Sequence, residues 1–241
     1  MRVLVAMLCG AAVFGQTAAD QDYVFGFLRA HPERREIAQA EAMAIQKGHM
    51  AHLAKMAEEG ILVSAGPLAD SPDLRGVVIF RGITLEQARR AAEQDPAVAA
   101  KRLRVDAAPW RGPAGIGEAA AAWMKEHPGE SLPMTKRTLM VYWKTPAAPA
   151  AFTGAAEKAA AAEHAEFIRG LRAAGEALAA CALRGSEEFV GVIVFASPDV
   201  AAAMKRCEAD PFVKRGWVRP QAFVWYVAEA TFAKAEQNRQ D

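Results

Sequence analysis

The chain has 241 residues, carries 29 Lys and Arg against 28 Asp and Glu, and is 52% hydrophobic. That length suits one large domain or two of about 100 residues, and the balanced charge gives no electrostatic reason to expect nucleic acid or an acidic partner. Much of the apolar fraction is alanine, which favours helices over a membrane span.

In chain order, "MRVLVAMLCGAAVFGQTAAD" comes first. One arginine, an apolar run from Val3 to Phe14 and the small residues of "QTAA" make a signal-peptide pattern, too short for a spanning helix. Residues 1–19 are therefore expected to be a signal peptide cleaved after Ala19. The mature chain is expected to be exported, periplasmic or extracellular, with no membrane association after cleavage. Cleavage removes Cys9 and leaves Cys181 and Cys207. An oxidising compartment permits a disulfide, but two cysteines make no framework, and two small core residues are the simpler reading.

Next, "YVFGFLR" (Tyr23 to Arg29) reads as a strand, apolar and aromatic. A long helical segment follows, including "ERREIAQAEAMAIQ", and stops at Gly60, a C-cap glycine. "ILVSAG" is a short strand and "LRGVVIFRG" a clear one. "TLEQARRAAEQ" is a helix halted by Asp95-Pro96, because the residue before proline disfavours the helical region. "RVDAAPW" closes the unit as a strand. Then "RGPAGIGEAAAAWMKEHPGESLPM" is rich in Gly, Pro and Ala, with a short helix around Glu118 to Glu126. It reads as a connector packed on the surface.

The same order then recurs. "GVVIF" at Gly76 returns as "GVIVF" at Gly191, an offset of 115. At that offset Gly60 maps to Gly175, Asp95-Pro96 to Asp210-Pro211, Trp110 to Trp225 and His49 to His164, while His52 maps to Phe167. The expected organisation is therefore domain 1 at 20–111, a connector at 112–135, domain 2 at 136–230 and a polar tail at 231–241. Each domain reads β-α-β-β-α-β, a ferredoxin-like unit of α+β class. Helices on one face leave the other face of each sheet needing cover. The two units are expected to pack sheet to sheet as an intramolecular pseudo-dimer, through the aromatic strands Tyr23–Leu28, Thr138–Trp143 and Phe223–Tyr226.

Chemistry rests on the histidines. Right-handed crossovers bring His49, on the first helix, towards Asp95 at the last turn of the second. His164 and Asp210 repeat the arrangement. A carboxylate fixes the imidazole tautomer and stabilises imidazolium, which makes the ring a better base. His49, Asp95, His164 and Asp210 are thus the candidate catalytic residues. Taken singly, each could be an ordinary helix or turn residue, and duplication could preserve a merely structural contact. His49 and His52 at i, i+3 are too few for a metal site, so none is assigned. His31 and His127 read as solvated. There is no phosphate loop, no Gly-x-Ser-x-Gly and no Cys-x-x-Cys. "GPAGIG" lies outside any βαβ crossover, which argues against nucleotide binding.

A strand, a helix with an early histidine, "SAGP", "GVVIF", a helix ending in Asp-Pro and a strand ending in "PW" together resemble the YCII-related family. The resemblance covers Tyr23 to Trp110 and Thr138 to Trp225. It implies a dimeric α/β-barrel type of fold and a His–Asp-centred pocket for small-molecule chemistry, with no cofactor. Related sequences have been linked to dehydrochlorination and, more distantly, lactone isomerisation. By position the family's histidine and aspartate are His49 and Asp95, then His164 and Asp210, and its Gly-Pro is Gly66-Pro67, which become candidate substrate-binding residues. Cys181-Ala182 replaces that Gly-Pro in the second unit. Two expectations follow: a lyase or isomerase using His49 as general base, or a non-catalytic exported module that binds an unknown small molecule or a protein. Oligomerisation beyond the internal pair is left open. If there is activity, His49 is expected to carry most of it and His164 little.

Overall fold

Strand β1 (Asp20–Ala30) sorts its side chains by parity. Tyr23, Phe25 and Phe27 enter one apolar cluster while Val24 and Leu28 enter another, the period-two alternation of extended chain. Every later strand does the same, so each sheet has a helix-facing side and a side facing the other sheet. The structure, a computed structural model, describes residues 20–150 and 153–234. The expected signal peptide, and residues 235–241 of the polar tail, lie outside the described residues.

The first unit continues with α1 (Gln39–Glu58), β2 (Leu62–Pro67), β3 (Leu74–Phe80), α2 (Leu85–Glu93), the four-residue α3 (Pro96–Ala99) and β4 (Leu103–Pro113). The connector holds α4 (Glu118–Glu126). The second unit repeats as β5 (Met134–Lys144), α5 (Ala155–Ala173), β6 (Ala177–Ala182), β7 (Phe189–Phe195), α6 (Val200–Cys207), α7 (Pro211–Lys214) and β8 (Val218–Ala228). The antiparallel strand orders are β2-β3-β1-β4 and β6-β7-β5-β8. These are two ferredoxin-like units, as the sequence predicts.

The sheets pack face to face. Phe25, Phe27, Val77, Ile79 and Trp110 from one share a core with Leu139, Val141, Val192, Phe223 and Trp225 from the other. Burying such side chains stabilises by about 1.5–3 kcal/mol each. The sheet edges also meet. Ala69 N–H donates to the Val224 carbonyl at 2.9 Å, and Arg184 N–H to the Pro109 carbonyl at 3.3 Å. These two bonds are related by the same offset of 115. β2 therefore lies along β8 and β4 along β6, closing the pair into a barrel.

Four sequence expectations need correction. The offset of 115 does not extend to the first strands: Val24 lies opposite Phe80 and Thr138 opposite Phe195, so β1 and β5 are related by 114. The displacement flips the parity there, which is why Tyr142 faces the helices and not the sheet interface. The helix before His49 begins only at Gln39; residues 34–38 are irregular, and α1 starts without a side-chain cap. Finally, the connector is not merely a surface strap. Ile116 and Ala120 are buried, and the Tyr23 hydroxyl donates to the Pro113 carbonyl at 2.9 Å and accepts from Ile116 N–H at 3.2 Å. A short 3₁₀ turn, Glu229–Phe232, continues the pattern by placing Phe232 in the inter-sheet core.

Cys181 and Cys207 are buried thiols on opposite faces of the second sheet, with no disulfide between them. Burial pushes the Cys207 thiol up to about 12, so it stays protonated and unreactive at neutral pH.

Candidate active site

Asp95 explains how the site is built. Helix α2 ends at Glu93, and Asp95 then caps α3 with Pro96 at its first position. Aspartate before proline is thus a new helix start as well as a stop, because proline suits the first helical position and aspartate accepts the orphan N–H groups there. Its Oδ1 accepts from Ala97 N–H at 2.8 Å, which leaves Oδ2 for His49 Nδ1 at 2.6 Å. An ionised carboxylate only accepts, so in the neutral ring Nδ1 carries the proton and Nε2 presents its lone pair. Gly48 permits the approach: a Cβ there would come within 3.0 Å of the Pro96 ring. The expected last-turn position of Asp95 is therefore corrected to an N-cap beyond that turn, with the same juxtaposition.

The second pair has the same bonds in a different setting. His164 Nδ1 lies 2.9 and 2.8 Å from the two Asp210 oxygens, and Asp210 Oδ1 accepts from Phe212 N–H at 2.8 Å. Tyr142 adds a hydroxyl donor to Oδ2 at 2.8 Å. Phe212 stacks on the His164 ring at 4.2 Å between centroids and 7° between planes. His164 and Asp210 are both 0% exposed. Burial raises the Tyr142 phenol well above its ordinary value, and the Cys207 sulfur and Asp210 carboxylate add to the rise, so it remains a donor.

In the first unit Ala97 stands where Phe212 stands, Leu28 where Tyr142 stands, and Gly26 where Met140 stands. Smaller side chains leave space. A cavity of about 910 Å³ lies along α1 and β2, with α4 as its far wall. His49, 7% exposed, is part of its lining, and Nε2 has no hydrogen-bond partner among the described residues. Leu28 and Ala97 line it too, so the substitutions that distinguish the units bear on the cavity itself.

The lining is mostly apolar. Met43, Met50, Met124 and Met134 are the exposed large hydrophobic side chains among the described residues, and all four line this one cavity. Exposed apolar side chains gathered in one place mark a binding surface, and methionines adapt to irregular ligands. Ser64 and Thr231 also line it, and their hydroxyls are buried and without a hydrogen-bond partner among the described residues.

Gly66 and Pro67 line the cavity as the end of β2 itself, not as a turn after it. What requires glycine at 66 is the other unit, since a Cβ would sit 1.8 Å from the Tyr226 carbonyl oxygen on β8. At the equivalent place, Cys181 Sγ accepts from Arg111 N–H at 3.1 Å. His52 turns towards the Ala91 carbonyl at 2.9 Å, tying α1 to α2. His127 stacks on Trp123 at 4.3 Å and is not simply solvated. Sequence reading missed the connector wall, including Met124; the small-residue run "EAAAAWMKE" was the available signal.

Neither a protein-family model nor a curated protein matches the chain. Solved structures do. A candidate chlorite dismutase, TA0507, is 12% identical with a TM-score of 0.50, covering 89% of this chain and 99% of that one. A variant of the chlorite dismutase from Candidatus Nitrospira defluvii is 11% identical with a TM-score of 0.49, covering 94% and 97%. A candidate monooxygenase from Lactobacillus acidophilus is 10% identical with a TM-score of 0.41, covering 86% and 95%. At such identities the likeness concerns fold alone. The first places the two-unit architecture among full-length dimeric α/β-barrel folds.

Proposed function

We propose that the first unit is a YCII-like small-molecule site in which His49 is the general base and Asp95 its positioning residue. The observation that carries this reading is the two-sided state of one ring: Nδ1 is held by a buried carboxylate, while the ring, whose Nε2 has no partner among the described residues, lines a large and mostly apolar cavity. A bound molecule with an acidic C–H or O–H beside Nε2 loses that proton to the ring. Imidazolium then forms against the Asp95 carboxylate, which lowers the cost of the charge. In an elimination the leaving group departs with the bonding pair and His49 keeps the proton. In an isomerisation His49 returns the proton at a neighbouring atom. His164, sealed under Phe212, is a core contact in this reading.

The test is a thermal-shift screen of small organic molecules, followed by turnover assays on the hits. His49→Ala is expected to lower kcat by about a hundredfold or more while retaining the fold. His164→Gln, with its folding checked by melting, should change kcat by no more than about twofold. Undiminished turnover by His49→Ala sinks the mechanism. A hit that binds the wild type without any turnover leaves a binding module.

A further inference from the structure

Charge around the cavity is one-sided. Its lining includes Arg34, Arg75, Arg81 and Arg102 and no aspartate or glutamate, in a chain whose cations and anions are nearly equal in number. Arg81 is neutralised by Glu118 at 3.1 Å. The other three have no carboxylate partner among the described residues. Arg75 donates to the Ser71 carbonyl at 3.2 Å, and Arg102 to the Arg35 carbonyl. Carbonyls brace a guanidinium without cancelling its charge.

These three arginines come from separate segments that the topology gathers at one end of the sheet. Arg34 follows β1, Arg75 is the second residue of β3, and Arg102 directly precedes β4. Their proximity is felt. Burial, then repulsion from Arg102 and Arg75, lowers the pKa of Arg34 below the ordinary arginine value. Holding like charges together is unfavourable, and a bound anion relieves it. The repeat sharpens the point. At the offset of 115, Val190 replaces Arg75, Ala196 replaces Arg81 and Trp217 replaces Arg102. Cations stand where the cavity is open and apolar residues where it is closed.

We propose that the cavity takes an amphipathic organic anion, its acidic group on Arg34, Arg75 and Arg102 and its apolar body along the methionine-lined face of α1. This rests on the reading of the cavity as a small-molecule site. A carboxylate or sulfonate matches the guanidinium geometry, and the apolar part of the molecule removes Met43, Met50 and Leu53 from water.

Two probes share one aromatic body: anilinonaphthalene sulfonate is an anion, and N-phenyl-naphthylamine is neutral. Both are titrated by fluorescence into the full chain, with near-UV circular dichroism confirming native packing. The sulfonate is expected to bind roughly tenfold more tightly than the amine, and added salt should narrow the gap. The variant R34Q/R75Q/R102Q should abolish the difference while leaving the neutral probe's affinity unchanged. Arg75→Gln alone, at an exposed position, should reduce the gap in the same direction if the triple variant does not fold. Decanoate should displace the sulfonate better than decanol does. Equal wild-type affinities, or a sulfonate affinity that ignores the arginines, overturns the anion proposal and leaves the cavity standing. Failure of both probes to bind overturns the cavity reading and the proposal with it.

Discussion

Alanine 97 and phenylalanine 212 occupy equivalent positions after an Asp-Pro pair, and the difference decides which histidine meets a ligand. Both backbones donate to the capping aspartate at 2.8 Å, so the His–Asp bond does not depend on the side chain that follows. Phe212 covers its histidine and Ala97 leaves its own open. Ala97→Phe should therefore stack an aromatic ring on His49. The expected result is a fall of at least about tenfold in affinity for an apolar fluorescent probe, with stability equal or higher by roughly 1 kcal/mol from the ring pair. Probe titration and thermal melting of the same sample measure both, and unchanged probe affinity would show that Ala97 does not gate the cavity. The His–Asp pairs were legible in the sequence because a tandem repeat prints each position twice. Which pair is open was not, because cavity volume depends on Leu28 and Ala97 meeting from segments about seventy residues apart in sequence.

The connector is the element whose role changed most between sequence and structure. Its composition reads as a surface connector with one short helix, yet Tyr23 on β1 reaches it through two hydrogen bonds, and α4 becomes a wall of the cavity. Burial pushes the Tyr23 phenol up to about 12 from an ordinary 10. The folded state thus binds a proton that the unfolded state releases between those values. Stability from this group is complete below pH 10 and is lost as pH rises through about 12. Part of that shift is screened, which leaves about 1–2 kcal/mol. Tyr23→Phe should be less stable at neutral pH by about 1–2 kcal/mol, because the Pro113 carbonyl and Ile116 amide lose their partner. The two proteins should converge in denaturant stability above pH 11. A constant gap across that range would assign the loss to packing and not to the hydroxyl.

At the scale of the whole molecule, the two units share one core and one buried cation. Arg29, 8% exposed, pairs with Asp73 and, at 2.9 Å, with Asp106 of its own unit, and reaches Glu188 of the other at 2.7 Å. Those carboxylates hold its guanidinium more firmly protonated than usual, against the opposing effect of burial. Because Asp73 and Glu188 are themselves half exposed, the net contribution is smaller than for a sealed pair. Arg29→Met should lower the unfolding free energy by about 2 kcal/mol. Unfolding should remain a single transition, coincident by tryptophan fluorescence and far-UV circular dichroism, since Trp110 and Trp225 sit in the common core. Two separate transitions in the wild type would mean that the shared core does not couple the units.

The linear chain by itself determined the duplicated β-α-β-β-α-β order, the Asp-Pro helix stops and the pairing of sheets. Period-two strands and the glycine and Asp-Pro helix stops act within a few residues, and the repeat prints each of them twice. Only the tertiary structure decided that β1 and β5 are related by 114 rather than 115, that Gly66 serves the contact with β8, that the connector walls a cavity, and that three arginines converge on it. Those outcomes depend on which distant segments share a volume and on how completely their side chains fill it. A local pattern carries no measure of either.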